Sequence, residues 1–261
     1  MPFSFIVGAV PVIPIKTLPS HHSEMASQLL FGERALVLKE ENDWLYIECH
    51  WDQYEGWVHK GSVQFISKKE YEKNPKTISG ISPNKLILEA GHCLLNPGSD
   101  LFAIKKQQFQ WLKNEHVKYK GSKIILKNIK IQKELFRQYA LSFLGVGYQW
   151  GGRTLMGIDC SGLTQMVYKL LNIPLPRDAH QQVNKGTAID FLMEAQCGDL
   201  AFFDNEEGTI VHVGILLDAH TIIHASQQSG GVVIDDIDQG GIISRRIRKR
   251  IAKLRIIKRI V

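Results

Sequence analysis

Gly147–Leu171, GYQWGGRTLMGIDCSGLTQMVYKLL, is the stretch on which the reading of the fold turns. An aromatic, glycine-rich loop (Tyr148, Trp150, Gly151, Gly152) leads into Asp159-Cys160-Ser161-Gly162. Leu163, Met166, Val167, Leu170 and Leu171 then recur at helix spacing. Cys160 therefore stands at a helix N-terminus, where unsatisfied N–H groups and the helix dipole favour an anion. Such a place can lower a thiol's pKa from roughly 8.5 into the range of about 3.5–7.5, especially beside an imidazolium. The competing reading is a buried structural cysteine on an amphipathic helix, and the rest of the chain has to decide between them.

Upstream, Ile131–Leu144 (IQKELFRQYALSFL) places Leu135, Tyr139, Leu141 and Phe143 for a short amphipathic helix that delivers the chain to the cysteine. Downstream, Asn172-Ile173-Pro174-Leu175-Pro176 ends the helical pattern, and Arg177-Asp178-Ala179-His180-Gln181-Gln182 opens a second, polar helix. Cys197–Phe203, Val211–Leu217 and Thr221–Ala225 read as strands, the last two joined by a short turn around Asp218-Ala219-His220. Helices followed by a run of strands predict an α+β domain over residues 128–261.

His212 and His224 lie on that strand pair, twelve positions apart. A hairpin symmetric about Asp218 would set them directly opposite, with Cβ atoms about 4.5–5.5 Å apart, on the polar side of otherwise apolar strands. A facing imidazole pair downstream of a helix-start cysteine fits a base and an orienter beside a nucleophile, because a free imidazole rotates and can hold the wrong tautomer. Two histidines and a cysteine can also bind zinc. Cys160 has no CxxC or HxxxH partner, however, and no metal or other cofactor is expected.

Residues 1–67 read as a small β-barrel, with strands at Ala35–Leu38, Trp44–Cys49 and Gly56–His59 and turn chemistry at Glu41-Asn42-Asp43. Residues 68–84 are polar with Pro and Gly, as in a linker. Leu86–Leu88, Leu101–Ile104 and Lys123–Leu126 follow as short strand-like runs, so residues 68–127 are expected to hold a linker and a second small SH3-like β unit. The basic tail from Arg245 partly alternates with apolar residues, which fits a last strand with a cationic solvent face. It lacks the aromatic interleaving or phosphate loop of a nucleic-acid site.

The set GYQWGG, DCSGL, PRDAHQQ, GDLAFF, VHVGILL and IIHAS, in this order over residues 130–261, resembles the NlpC-type cell-wall cysteine peptidases, which are papain-like in their core. Glu55-Gly56-Trp57-Val58 with its surroundings resembles a bacterial SH3-like domain. Together with Ser23-Glu24-Met25, Gln28–Glu33 and Tyr54–Trp57, the chain resembles the γ-D-glutamyl-L-diamino acid endopeptidases that process peptidoglycan stem peptides. The resemblance implies Cys160 as nucleophile, His212 as general base and acid, His224 as orienter, and Tyr148 as an oxyanion donor beside the Cys160 amide. It also implies Asp159 and Ser161 as substrate contacts, with helix capping as their competing role, and Asp178 as a further acidic contact. Glu24 and Tyr54 match the remaining contacts to the substrate amine. Ala179 stands where the family often has a serine after PRD. The implied substrate is a released muropeptide with a free N-terminal L-Ala, whose ammonium these carboxylates would bind.

An amidase or acyltransferase using the same triad, and a non-catalytic wall-binding module, are the alternatives. With 261 residues and a net charge of +6 the chain is an ordinary globular protein in composition. Its four dispersed cysteines argue against a disulfide framework and fit a reducing compartment. The apolar start, Phe3–Ile15, is broken by Pro11 and Pro14 and has no basic leader before it. It reads as an opening strand and not as a signal peptide or membrane span, which favours the cytoplasm, with the periplasm or export as the alternative. The expected partner is a peptidoglycan-derived peptide, without nucleic acid or membrane insertion. The sequence is silent on oligomeric state, with a monomer as the default.

Overall fold

A computed structural model describes residues 4–101 and 117–261. The chain divides into two compact units, Met1–Ile129 and Lys130–Val261.

In the first unit, β1 (Ser4–Gly8), β2 (Val12–Lys16), β3 (Met25–Leu30), β4 (Arg34–Glu41), β5 (Trp44–Cys49), β6 (Glu55–His59) and β7 (Val63–Ile66) form one antiparallel sheet in the order β3-β2-β6-β5-β4-β1-β7. The apolar start is thus two strands, separated around Pro11. Pro14, which has no N–H to give to a ladder, is tolerated in β2 because β2 meets β6 only at Lys16–Trp57. Asn42 takes a positive φ of 50° at the tip of the β4–β5 hairpin, as its short amide side chain permits. Ile6, Ile13, Ile15, Leu29, Leu45, Ile47 and Val58 close the core.

The segment expected to be a linker is structured. It holds α1 (Lys68–Tyr71) and β8 (Thr77–Ser79), and the buried Arg34 donates to the carbonyls of Glu70, Tyr71 and Lys73. After it, β9 (Asn84–Leu88), β10 (Gly91–Leu95), β11 (Lys118–Lys120) and β12 (Lys123–Ile125) form a three-stranded ladder, β10-β9-β11, and a β12–β8 pair. Leu86, Leu95 and Leu101 share one apolar cluster with Val7 of β1 and with Ala9 and Phe31, which follow the ends of β1 and β3. Phe102–Ile104 of the expected strand lie outside the described residues.

The second unit opens with α2 (Lys133–Leu141), the short β13 (Arg153–Thr154) and β14 (Gly157–Ile158), α3 (Cys160–Leu170) and α4 (Ala179–Gln182). The strands follow as β15 (Thr187–Ile189), β16 (Leu200–Asp204), β17 (Ile210–Leu216), β18 (Thr221–Ser226), β19 (Gly231–Asp238), β20 (Gly241–Ser244) and β21 (Lys249–Arg259). They pair in the order β15-β21-β16-β17-β18-β19-β20, and β20 pairs back onto β21, so six strands close into a ring. Ala201, Phe203, Leu216, Ile222, Ile237, Ile242 and Ile257 cluster in its core. The α3 helix lies along β17 and β18. It is not amphipathic in place, because all of its residues are buried. Thr164 Oγ1 donates to Gln182 Oε1 at 2.7 Å, and the Tyr168 hydroxyl to the Gly198 carbonyl at 2.6 Å.

Candidate active site

The start of α3 is held by a buried polar cluster. Asp159 is its N-cap, accepting from the Gly162 amide at 2.7 Å. The same carboxylate accepts from the Gly151 amide at 2.8 Å and, in a fork, from Arg177 Nη1 at 3.0 Å and Nη2 at 2.6 Å. Arg177 Nη1 also donates to Ser161 Oγ at 2.8 Å, and the Ser161 hydroxyl donates to Asp159 at 3.3 Å. Gly162 is required by the close approach of the loop before it, since a Cβ there would lie 2.2 Å from the Gly152 carbonyl oxygen.

Both oxygens of Asp159 are thus engaged within the protein, and only 4% of the residue is exposed. Within the protein Asp159 caps α3, and both it and Ser161 pair with Arg177.

The Cys160 sulfur receives hydrogen bonds from the backbone amides of Ser161 and of Val213, the residue after His212 on β17. Burial, followed by the charge of Asp159, nevertheless pushes its pKa up to about 12. That reverses the lowering expected from a helix start: desolvation of the thiolate outweighs the amides and the Arg177 charge. Burial, then neighbouring His224, push His212 down to about 3. The resting pair is therefore a neutral thiol and a neutral imidazole.

The two imidazoles meet, but not through the expected register. Ile215 pairs with Ile223 and Leu216 with Ile222, which shifts the symmetry of the hairpin by one residue and makes the histidines diagonal neighbours. His212 Nε2 still lies 2.9 Å from His224 Nδ1, with the rings edge-on at 81°. Gly214 makes room for this, because a Cβ there would come 3.0 Å from His224 Cβ. Nor is their face polar. By the two-residue alternation of strands, His212 and His224 share it with Leu216 and Ile222 of the core, and Phe203 packs against the His212 ring at 5.7 Å. On the far side, His224 Nε2 is 3.1 Å from Asp235 Oδ2 in β19.

Tyr148 is half-buried in the loop before β13, pinned by its amide to the Gly230 carbonyl at 2.9 Å. Burial, then the charges of Cys160 and Asp159, push its pKa up to about 12, so its hydroxyl is a donor at neutral pH. Asp178 caps α4 and is half-buried. Glu24 and Tyr54 belong to the first unit: Glu24 is exposed just before β3, and Tyr54 packs against the barrel core just before β6. Among the described residues no group of three or more His, Cys, Asp or Glu side chains is arranged to hold a metal ion.

Residues 145–250 match the NlpC/P60 family, and residues 17–63 match the bacterial dipeptidyl-peptidase Sh3 domain. The chain carries an NlpC/P60 domain. Dipeptidyl-peptidase 6 of Lysinibacillus sphaericus is 29% identical over 245 residues, which cover 85% of this chain and 87% of that protein. A Bacillus cereus γ-D-glutamyl-L-lysine dipeptidyl-peptidase is 26% identical over 247 residues, covering 85% and 73%. A solved NlpC/P60 family protein from Bacillus cereus ATCC 10987 shares the fold, with a TM-score of 0.77 at 18% identity over 98% of this chain and 99% of its own.

Two residues of the NlpC/P60 domain escaped the sequence reading. Arg177 lies inside the PRDAHQQ motif, whose local pattern shows only a helix start. Asp235 lies in a stretch to which no strand was assigned, so nothing placed it near His224.

Proposed function

We propose that the protein is a cysteine endopeptidase that hydrolyses the γ-D-Glu–L-diamino acid bond of peptidoglycan stem peptides bearing a free N-terminal L-Ala. What supports this reading is the pair of imidazoles, His212 and His224, 2.9 Å apart, with the Cys160 sulfur bonded to the amide of Val213, the residue after His212 on β17. His212 Nε2 is occupied by His224, which leaves Nδ1 as the nitrogen available to the thiol.

In this mechanism His212 takes the thiol proton as Cys160 attacks the carbonyl carbon. A neutral resting pair makes that transfer concurrent with attack, since little thiolate exists beforehand. The Tyr148 hydroxyl and the Cys160 amide donate to the oxyanion. The C–N bond then breaks, the amine leaves with the proton from His212, and water, deprotonated by the same imidazole, hydrolyses the thioester. Asp159, with Asp178 as a second carboxylate of the peptidase unit, is proposed to meet the L-Ala ammonium. Recycling of released muropeptides in the cytoplasm is part of the proposal: all four cysteines are free, as a reducing compartment keeps them.

The experiment is a panel of L-Ala-γ-D-Glu-diaminopimelate, its lysine counterpart, and both with N-acetylated L-Ala, with products identified by mass spectrometry. Release of L-Ala-γ-D-Glu from the free-amine peptides alone is expected. Equal cleavage of the acetylated peptides refutes the amine requirement, and transfer products in place of the free dipeptide refute hydrolysis.

A further inference from the structure

The catalytic reading leaves one question of chemistry open. A neutral imidazole carries a single N–H, on either nitrogen, and His212 can act as a base only if the nitrogen facing the thiol is the bare one. Within a chain of two imidazoles, nothing intrinsic selects the direction in which the N–H groups point. Something must break the tie.

We propose that Asp235 is the positioning residue that sets the tautomers of both imidazoles and so leaves His212 Nδ1 unprotonated toward Cys160. Asp235 and His224 are buried, with 2% and 1% exposure. Asp235 Oδ2 lies 3.1 Å from His224 Nε2, while Oδ1 accepts from the Arg245 amide at 2.9 Å. An ionised carboxylate only accepts, so the proton of His224 must reside on Nε2 and its Nδ1 must be bare. Nδ1 lies 2.9 Å from His212 Nε2, which must therefore be the donor. The single proton of neutral His212 is then on Nε2, and its lone pair is on Nδ1. One carboxylate decides both rings.

The strand registers build this line. His224 pairs with Val233, so Asp235 lies two residues farther along β19 on the same face, diagonal to His224. His224 is in turn diagonal to His212 across β18 and β17. The carboxylate stays ionised although burial opposes it: the bonds from His224 and the Arg245 amide, with the charges around them, hold it below its ordinary value. When His212 accepts the thiol proton, the new positive charge is in line with this buried negative one.

This inference rests on the proposed roles of Cys160 and His212, but its first test needs no substrate. In full-length protein with ¹⁵N-labelled histidine, both rings should show the N–H on Nε2. A proton on Nδ1 of either resting ring overturns the proposal.

Asp235→Asn supplies the second test. Its carbonyl oxygen is retained by the Arg245 amide, so its NH₂ faces His224 Nε2 and donates. That reverses both tautomers and turns a His212 N–H toward the sulfur. The expected result is a kcat reduced on the order of 10²-fold or more, with KM within about threefold, and ¹⁵N shifts that report Nδ1–H on both rings. Asp235→Ala, which imposes neither direction, should retain more activity than Asp235→Asn. A merely structural carboxylate gives the opposite order, because the isosteric amide would be the milder change. Unreversed rings in a folded Asp235→Asn, or an Asn variant at least as active as Ala, overturn the assignment. Should wild-type protein fail to cleave the muropeptide, the substrate reading falls while the ring protonation still decides this one.

Discussion

Replacing Arg177 by Met tests the role given to the start of α3. The guanidinium and the Asp159 carboxylate are each almost inaccessible to water and are joined by two bonds, at 3.0 and 2.6 Å. Methionine fills a similar volume but leaves Asp159 buried with only the Gly151 and Gly162 amides and the Ser161 hydroxyl. Removing one partner of such a pair typically destabilises by about 3–5 kcal/mol, because the remaining charge is uncompensated. At about 3 °C per kcal/mol this lowers Tm by roughly 10–15 °C. Thermal and urea unfolding of Arg177→Met, Asp159→Asn and the double variant measure it as a cycle. The double variant carries no buried charge there and should recover much of the loss. A change below about 1 kcal/mol in Arg177→Met refutes the pairing as the support of α3. An Asp159→Asn protein of unchanged stability, whose KM alone rises for free-amine peptides, gives Asp159 the substrate contact and not the support of α3.

Four further outcomes follow from the geometry. His212 is held down at about 3 from an ordinary 6.5, so on acidification the unfolded chain binds this proton first. Its contribution is present above 6.5 and is lost as pH falls toward 3, by up to about 1.4 kcal/mol per pH unit; urea unfolding between pH 4 and 6 should show a shallower slope in His212→Asn. Cys160, raised to about 12 from 9.0, acts at the other end, its contribution being lost as pH rises from 9 to 12, and Cys160→Ala should flatten that limb. Tyr148→Phe should lower kcat by about 10²–10³ with little change in KM, and an unchanged kcat removes the hydroxyl from the oxyanion site. Gly214→Ala sets a Cβ 2.7 Å from Ile222 Cδ1 and 3.0 Å from His224 Cβ, so it should cost about 1–3 kcal/mol and reduce kcat together with stability; wild-type denaturation and turnover would contradict the packing described.

The sequence was most legible where local chemistry and function coincide. The N-cap at Asp159, the helix after it, the prolines that end it and the strands bearing His212 and His224 all follow from short-range rules, and their order carried the family resemblance. What it could not convey was lateral. Ladder register depends on how a turn closes, and the shift by one residue converted an opposed histidine pair into a diagonal one. Asp235 is invisible without that register, since its partner is eleven positions away on the next strand. Arg177 was in view, but its pairing with Asp159, eighteen residues earlier, is a tertiary fact. The thiol's pKa is hidden from the sequence for the same reason: the helix end is local, whereas the burial that outweighs it comes from the rest of the fold. The polar composition of residues 68–84 likewise concealed α1, because its carbonyls are satisfied by Arg34 from a distant strand.

The most direct measurement is intact-protein mass spectrometry after acid quench of the enzyme mixed with L-Ala-γ-D-Glu-diaminopimelate. The mechanism requires a transient adduct equal to the L-Ala-γ-D-Glu acyl group, located on the peptide containing Cys160 and absent in Cys160→Ala. Hydrolysis that persists in Cys160→Ala, or an acyl group found on any other residue, would contradict it.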